Sequence, residues 1–348
     1  MPWYSFLLTP FALIFRVITE IRNVLYDWNV LKSEKGKIPS IVVGNLSVGG
    51  TGKTPMVEYL LRNLSSEMKL AVLSRGYGRK TKGFLQAKME SKPLEIGDEP
   101  HQIFHKFEGD IPVFVCESRV EGISKIYELI PDLEAVVLDD AFQHRSLKAD
   151  FYILLTPYQK PFSRDFILPK GRLRESRKGG KRADLVVVTK SPESLSSEDK
   201  SELKQELSKY LISGTPILFS SIIYGEPLPL GHSERFTENV ILISGLADDR
   251  LFVEYCQSKF KVLDVMSFPD HHEYSQNDLH AFLAKASSQK SFNPVFLCTE
   301  KDGEKLKSLG KGGFLGEIPI FVLPIEVMFN PEEKEILLTH IRKKLVSK

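Results

Sequence analysis

Charge of one sign is what this sequence most lacks. Its 348 residues carry 47 Lys and Arg against 45 Asp and Glu, a net charge of +2. So even a balance gives no field that would gather nucleic acid, and any anionic partner must be met by a local patch. Cysteine is scarce too. Cys116, Cys256 and Cys298 lie far apart and form no CxxC pair, which argues against a zinc site or a disulfide framework and suits a reducing cytoplasm. There is no internal repeat and no low-complexity segment. No apolar run reaches the roughly 20 residues that a bilayer-crossing helix needs. The uncharged stretch from Met1 stops at Phe15, with Arg16 next. It has neither the basic start nor the small-residue cleavage site of a secretory signal, so it is expected to stay on the protein.

What is present begins with that apolar amino terminus. Trp3, Tyr4, Phe6, Leu7, Leu8, Phe11, Leu13, Ile14 and Phe15 crowd it, and Val17, Ile18, Ile21, Val24, Leu25 and Trp28 then recur at helical spacing. Aromatics with a basic flank predict an interfacial helix over residues 1–35, against the alternative of a helix hairpin buried on the protein's own core. From Pro39 onward, short β-branched runs alternate with amphipathic stretches, the pattern of a mostly parallel sheet flanked by helices. Strands are predicted at 41–43, 70–73, 112–115, 135–138, 151–155 and 185–188, each a continuous apolar run and so buried on both faces. Helices are predicted to begin at Lys53, Asp98 and Ser118. A second α/β series is expected from Ile217, with strands at 240–243, 262–265, 295–297 and 320–323. The length favours more than one core, and the division expected is 1–35, 36–180 and 181–348.

Between Thr156 and Arg182 the regularity breaks. Pro157, Pro161, Pro169, Gly171, Gly179 and Gly180 interrupt a run crowded with lysine and arginine. Such a run is either a solvated linker or the local patch that a phosphorylated substrate requires.

The chemistry starts at Gly44-Asn45-Leu46-Ser47-Val48-Gly49-Gly50-Thr51-Gly52-Lys53-Thr54. A β-branched strand precedes this segment and a helix follows it, the context of a phosphate-binding loop. Its glycines let successive N–H groups of residues 47 to 54 turn inward on phosphate oxygens. Lys53 supplies a cation and the Thr54 hydroxyl a ligand for Mg²⁺. Ser47 stands where the usual pattern has glycine. Downstream, the apolar run Ala135-Val136-Val137-Leu138 ends in Asp139 and Asp140. At the carboxyl end of a parallel strand these carboxylates would face the cradle, where one of them could hold Mg²⁺.

Further motifs join these two in order: Ser74-Arg75-Gly76-Tyr77-Gly78-Arg79, Gly97-Asp98-Glu99-Pro100, Asp139-Asp140-Ala141-Phe142-Gln143-His144, Leu173-Arg174-Glu175, Phe268-Pro269-Asp270-His271-His272 and Thr299-Glu300-Lys301-Asp302. The set resembles the tetraacyldisaccharide 4′-kinases of lipid A synthesis over nearly the whole chain. The resemblance implies transfer of the γ-phosphoryl of ATP, with Mg²⁺, to the 4′-hydroxyl of an acylated glucosamine disaccharide 1-phosphate. It places the protein at the cytoplasmic face of the inner membrane, with no obligate protein partner evident. A sugar hydroxyl is a poor nucleophile until its proton is accepted, and Asp98 is the expected base, with simple helix capping as the alternative. His271 resembles the family's histidine partner of that carboxylate. Arg75 and Arg119 are expected to face developing charge, and Arg172 and Arg174 the 1-phosphate. Asn45, Tyr77 and Gln143 are assigned to the sugar site, and Glu175 to metal or hydroxyl groups. Thr299-Glu300-Lys301-Asp302 also resembles the guanine-reading motif of P-loop GTPases, so a regulatory or metal-insertion GTPase or ATPase is the competing reading.

Overall fold

The computed structural model describes residues 7–231, 235–270, 272–309 and 318–346. The predicted apolar runs become the strands of two sheets. The larger has eight strands, β1 (Ser40–Asn45), β2 (Leu70–Ser74), β3 (Leu85–Gln86), β4 (Val113–Val115), β5 (Ala135–Asp139), β6 (Phe151–Pro157), β7 (Leu185–Thr189) and β8 (Ile217–Phe219), in the order β8-β7-β6-β1-β5-β2-β4-β3. All neighbours are parallel except β3 on β4 at the edge. Parallel pairing obliges each connection to cross over the sheet, and helices on both faces bury β1, β2, β4, β5, β7 and β8 throughout. Ile41, Val43, Val72, Val137 and Val187 face one layer of the core, and Val42, Leu73, Leu138, Leu154 and Val186 the other. The central strand β1 runs between β5 and β6, so the phosphate loop emerges beside the Asp139-Asp140 end of β5.

The smaller sheet has five strands, β9 (Leu228–Pro229), β10 (Asn239–Ser244), β11 (Lys261–Ser267), β12 (Val295–Thr299) and β13 (Ile320–Leu323), ordered β9-β13-β12-β10-β11. Its boundary differs from the one expected. β7 and β8 hydrogen-bond into the large sheet, so neither residue 181 nor Ile217 opens the second lobe, which begins beyond Phe219. The run at Ile217 is apolar like its neighbours, and nothing local says which sheet will receive it. The chain leaves and re-enters the large lobe through an antiparallel pair, Ser221–Tyr224 with Ile325–Met328. Its last helix then packs Leu337, Leu338 and Ile341 into the same core as Met56 and Leu60.

Five helices position the site: α1 (Thr9–Asp27), α2 (Lys53–Leu64), α3 (Asp98–Lys106), α4 (Arg119–Leu129) and α5 (Glu300–Leu309). α1 buries only Ala12 and leaves Phe11, Leu13, Ile14, Val17, Ile18 and Ile21 exposed. Among the described residues, therefore, α1 is not buried as an arm of a hairpin. Polar contacts hold α1 to the body: Asn23 Nδ2 donates to Glu175 Oε2 at 2.8 Å, and Arg145 pairs with Asp27 at 2.6 Å. Among the described residues no helix is long and apolar enough to cross a membrane.

Candidate active site

The phosphate loop is braced on two sides before any ligand arrives. On one side Val48 N donates to Arg172 O at 2.8 Å and Arg174 N to Leu46 O at 2.7 Å, so residues 172–174 run beside the loop. Ser47 bridges to Leu173 and is buried. Only Gly49 (φ 101°) and Gly52 (φ 84°) in this loop take the left-handed backbone that favours glycine, which is why serine is tolerated at 47. On the other side the Thr189 hydroxyl donates to Thr51 O at 2.9 Å. Within the loop Asn45 Nδ2 donates to Thr51 Oγ1 at 2.7 Å. Asn45 is fully buried, so it braces the cradle from below, where a side chain expected to meet the sugar would instead be open to solvent. Gly50 and Thr54 line the rim, with Lys53 opening α2.

Lys53 Nζ lies 3.8 Å from Asp140 Oδ2, and Arg174 Nη1 lies 3.0 Å from both oxygens of the same carboxylate. Asp140 itself is held at φ 48°, a left-handed conformation that aspartate adopts more readily than most residues other than glycine. It gathers two cations at the mouth of the cradle. Asp139 is different. It is buried, Ser74 Oγ donates to its Oδ2 at 3.3 Å, and its Oδ1 has no partner. Burial, and after it the neighbouring Asp140, pushes its carboxyl up to about 6. An orphaned carboxylate oxygen beside a phosphate cradle fits a cation, and Mg²⁺ takes few protein ligands when phosphates and water supply the rest. Among the described residues no cluster of three or more His, Cys, Asp or Glu offers a fuller cage. Asp139 and Thr54 are the residues that would hold Mg²⁺, and Asp140 is committed to Lys53 and Arg174.

Asp98 is the first residue of α3. Its neighbour Glu99 is near enough to help raise Asp139. Gly97 precedes it at φ 95°, ψ 155°, and a Cβ there would meet Gly76 Cα at 2.9 Å. The two motif glycines thus let the Ser74–Arg79 loop and the start of α3 touch backbone to backbone. Asp98 Oδ2 pairs with Lys305 Nζ of α5 at 2.9 Å, and Lys305 also donates to His272 O at 3.1 Å. Lys301 spans Glu99 at 3.6 Å and Asp270 at 3.2 Å. The segment containing Phe268-Pro269-Asp270 and His272 is therefore tied through α5 to the Asp98 end of the cleft. His271 itself lies outside the described residues.

Several expected contacts fall elsewhere. Arg119 is 2% exposed, donating to Cys116 O at 2.9 Å and Asp139 O at 3.0 Å. Burial lowers it to about 10, still charged at neutral pH, so it supports the two aspartates from behind and does not face substrate. Glu175 is 3% exposed and accepts from Arg182, Gln143 and Asn23. That leaves it the anchor of α1 rather than a metal or sugar ligand. Gln143 Nε2 donates to Asn45 O at 2.8 Å and to Glu175 Oε1 at 3.0 Å, linking that anchor to the cradle. Arg172 pairs with Asp165 at 2.8 Å. Arg75 and Tyr77 stay exposed on the Ser74–Arg79 loop.

One residue escaped the sequence reading. Lys190 follows β7 at φ 56°, and its Nζ lies 3.8 Å from the place a Gly50 Cβ would occupy. Burial lowers its pKa, with Asp248 acting in the opposite direction. A cation thus reaches over the cradle from a second strand end. The apolar run Leu185–Val188 is followed, after Thr189, by a charged residue, as Ala135–Leu138 is followed by Asp139 and Asp140.

The GTPase reading fails on geometry. Thr299-Glu300-Lys301-Asp302 ends a strand of the small sheet, where buried Asp302 accepts from Gly245 N, Tyr274 Oη and Thr299 Oγ1 at 2.7 to 3.0 Å. Its carboxylate is buried and held by three donors inside its own lobe, so it is not free to read a base.

Comparison with known proteins agrees. The family model described as tetraacyldisaccharide-1-P 4′-kinase matches residues 4–342. A tetraacyldisaccharide 4′-kinase of Flavobacterium johnsoniae is 43% identical over 306 residues, covering 86% of this chain and 87% of that protein. One from Flavobacterium psychrophilum is 40% identical over 333 residues, covering 94% and 93%. Among solved structures, LpxK from Aquifex aeolicus in complex with ATP superposes with a TM-score of 0.75 at 32% identity, covering 98% of this chain and 99% of that one.

Proposed function

Because the chain belongs to the tetraacyldisaccharide-1-P 4′-kinase family, we propose how its residues carry out the transfer of a phosphoryl group from ATP to the 4′-hydroxyl of an acylated disaccharide 1-phosphate. The protein is an ATP-dependent kinase of lipid A synthesis. Backbone amides of residues 47–54 and the Lys53 ammonium hold the β- and γ-phosphates. Thr54 and Asp139 are the residues that would hold Mg²⁺, which would supply neutralisation of phosphate charge. Asp140 keeps Lys53 and Arg174 at the cradle mouth, where developing negative charge meets two preorganised cations. Asp98 accepts the proton of the acceptor hydroxyl as the oxygen attacks phosphorus. Lys305 positions Asp98 and couples it to the second lobe, and His271 is assigned as its partner on its motif. Tyr77 and Arg75, exposed above the cradle, are the groups left to meet the sugar.

The exposed apolar face of α1 supports a seat in the cytoplasmic leaflet of the inner membrane, where an acylated acceptor resides. The convergence of Lys53 and Arg174 on Asp140, beside an orphaned Asp139 oxygen, carries this reading. Its test is transfer of label from γ-labelled ATP to the acylated acceptor in detergent. Labelled lipid is expected, and phosphate released without it contradicts the reading.

A further inference from the structure

The Thr299-Glu300-Lys301-Asp302 motif reads no base, yet it opens a helix whose charges are organised. Asp302 fastens α5 to the small lobe. Glu300, Lys301, Glu304 and Lys305 recur on one face of that helix, and each meets α3. Lys106 Nζ lies 2.6 Å from Glu300 Oε1, Lys301 lies 3.6 Å from Glu99, Glu304 lies 3.6 Å from His101 Nδ1, and Lys305 lies 2.9 Å from Asp98. The helix that begins with Asp98 is thus held along its whole length, from its first residue to Lys106, its last.

The contact at Lys106 reaches further. Its Nζ also lies 2.7 Å from Glu58 Oε2, and Gln102 Nε2 donates to Glu58 Oε1 at 2.9 Å. Glu58 belongs to α2, the helix that Lys53 opens, and its side chain is 1% exposed. Met56, Val57, Leu60 and Leu61 seat α2 immovably in the core of the large lobe, so the Glu58 carboxylate is a fixed point. A charge buried there requires a partner, and a single ammonium serves both Glu58 and Glu300. Glu300 also accepts from Ile325 N at 3.1 Å, in the strand by which the chain re-enters the large lobe. Three helices therefore meet on one lysine: α2 from the cradle, α3 from Asp98 and α5 from the small lobe. Buried ion pairs of this kind add little stability over apolar side chains of the same size.

We propose that Lys106, clasped by Glu58 and Glu300, is a positioning residue for phosphoryl transfer, setting α3 against α2 and hence Asp98 against the phosphates held at Lys53. The proposal rests on the kinase reading above, with Asp98 as base, and deepens it. What the three charges supply is a fixed geometry. Asp98 and Lys106 are the two ends of a nine-residue helix, about 12 Å apart along its axis at roughly 1.5 Å per residue. Lys106 therefore acts through Asp98 and from the opposite end of α3.

Single-turnover transfer from γ-labelled ATP to the acylated acceptor tests it in the full-length protein. Lys106→Met is expected to lose at least about tenfold in transfer rate, with the dissociation constant for ATP held within a factor of about two. Lys106→Arg, which keeps the charge, should recover most of that loss. A lysine that merely stabilised the fold would act independently of Asp98, so Lys106→Met is repeated on Asp98→Asn. There it should cost less than about twofold, because residues acting as a unit are not additive. Should the two stranded carboxylates keep Lys106→Met from folding, the triple variant Glu58→Gln, Lys106→Met, Glu300→Gln removes the pairs without leaving a buried charge and carries the same expectations. A wild-type transfer rate in the folded variant overturns the proposal. An equal loss with and without the Asp98 carboxylate overturns it too and leaves Asp98 as base, whereas wild-type transfer by Asp98→Asn alone overturns the base reading and this proposal with it.

Discussion

Gly97 offers a way to move Asp98 without touching its carboxylate. At φ 95°, ψ 155° its backbone lies in a region essentially reserved for glycine, where another residue costs about 1–3 kcal/mol. In Gly97→Ala the new Cβ would also stand 2.9 Å from Gly76 Cα, 3.0 Å from Gly76 C and 3.1 Å from Tyr77 O. All three are backbone atoms that cannot swing aside, and overpacking of this kind costs about 1–3 kcal/mol more. Together these predict a destabilisation on the order of 3 kcal/mol, read as a lower midpoint in urea. The structure relieves the clash by parting the Ser74–Arg79 loop from the start of α3, which carries Asp98 away from the cradle. A displacement of about 1 Å is enough to cost on the order of a hundredfold in turnover. Nucleotide affinity, set by residues 47–54 on another strand, should hold within a factor of about two. The assay is kcat beside the dissociation constant for ATP, both at a temperature where the variant is folded. Gly97→Ala with wild-type stability and wild-type kcat would refute the reasoning.

Lys190→Met is expected to raise KM for ATP by about tenfold with a smaller change in kcat, since the ammonium meets the cradle and not the acceptor; steady-state kinetics at fixed acceptor check it. His144 is held down to about 4, first by burial and then by Arg119, while its Nε2 accepts from Arg119 N at 3.2 Å. Because the unfolded chain binds the proton first, the neutral imidazole's contribution is complete above pH 6.5 and fades as pH falls toward 4. The fall is at most about 3 kcal/mol. His144→Gln should flatten that part of a stability-against-pH curve, and an identical curve contradicts the assignment. Removing residues 1–28 should abolish sedimentation with anionic vesicles while ATP binding persists.

Much of this was legible in the sequence because the signals were local. Continuous apolar runs announced buried parallel strands, and a strand, a glycine-rich turn and Lys53-Thr54 announced the cradle. The same locality explains the errors. Whether Ile217 joins the first or the second sheet depends on a partner strand, Val186 to Val188, that its own residues do not encode. Asn45 and Glu175 sit in motifs with the right composition for substrate contact, and Arg119 opens a helix beside a strand end. Which side of a strand end or helix start each faces is decided by neighbours such as Cys116 O, Thr51 and Arg182. Lys190 was passed over because one lysine after a strand looks like any other until the fold brings Gly50 beneath it.

Asp98 as the base that deprotonates the acceptor beside phosphates held at residues 47–54 is the centre of the account. Rapid-quench measurement of a single turnover with Asp98→Asn, at saturating ATP and acceptor, tests it most directly. The rate of phosphoryl transfer is expected to fall by at least about a hundredfold, with the dissociation constant for ATP unaltered. Transfer at the wild-type rate, or a loss that disappears once weaker ATP binding is corrected for, would contradict it.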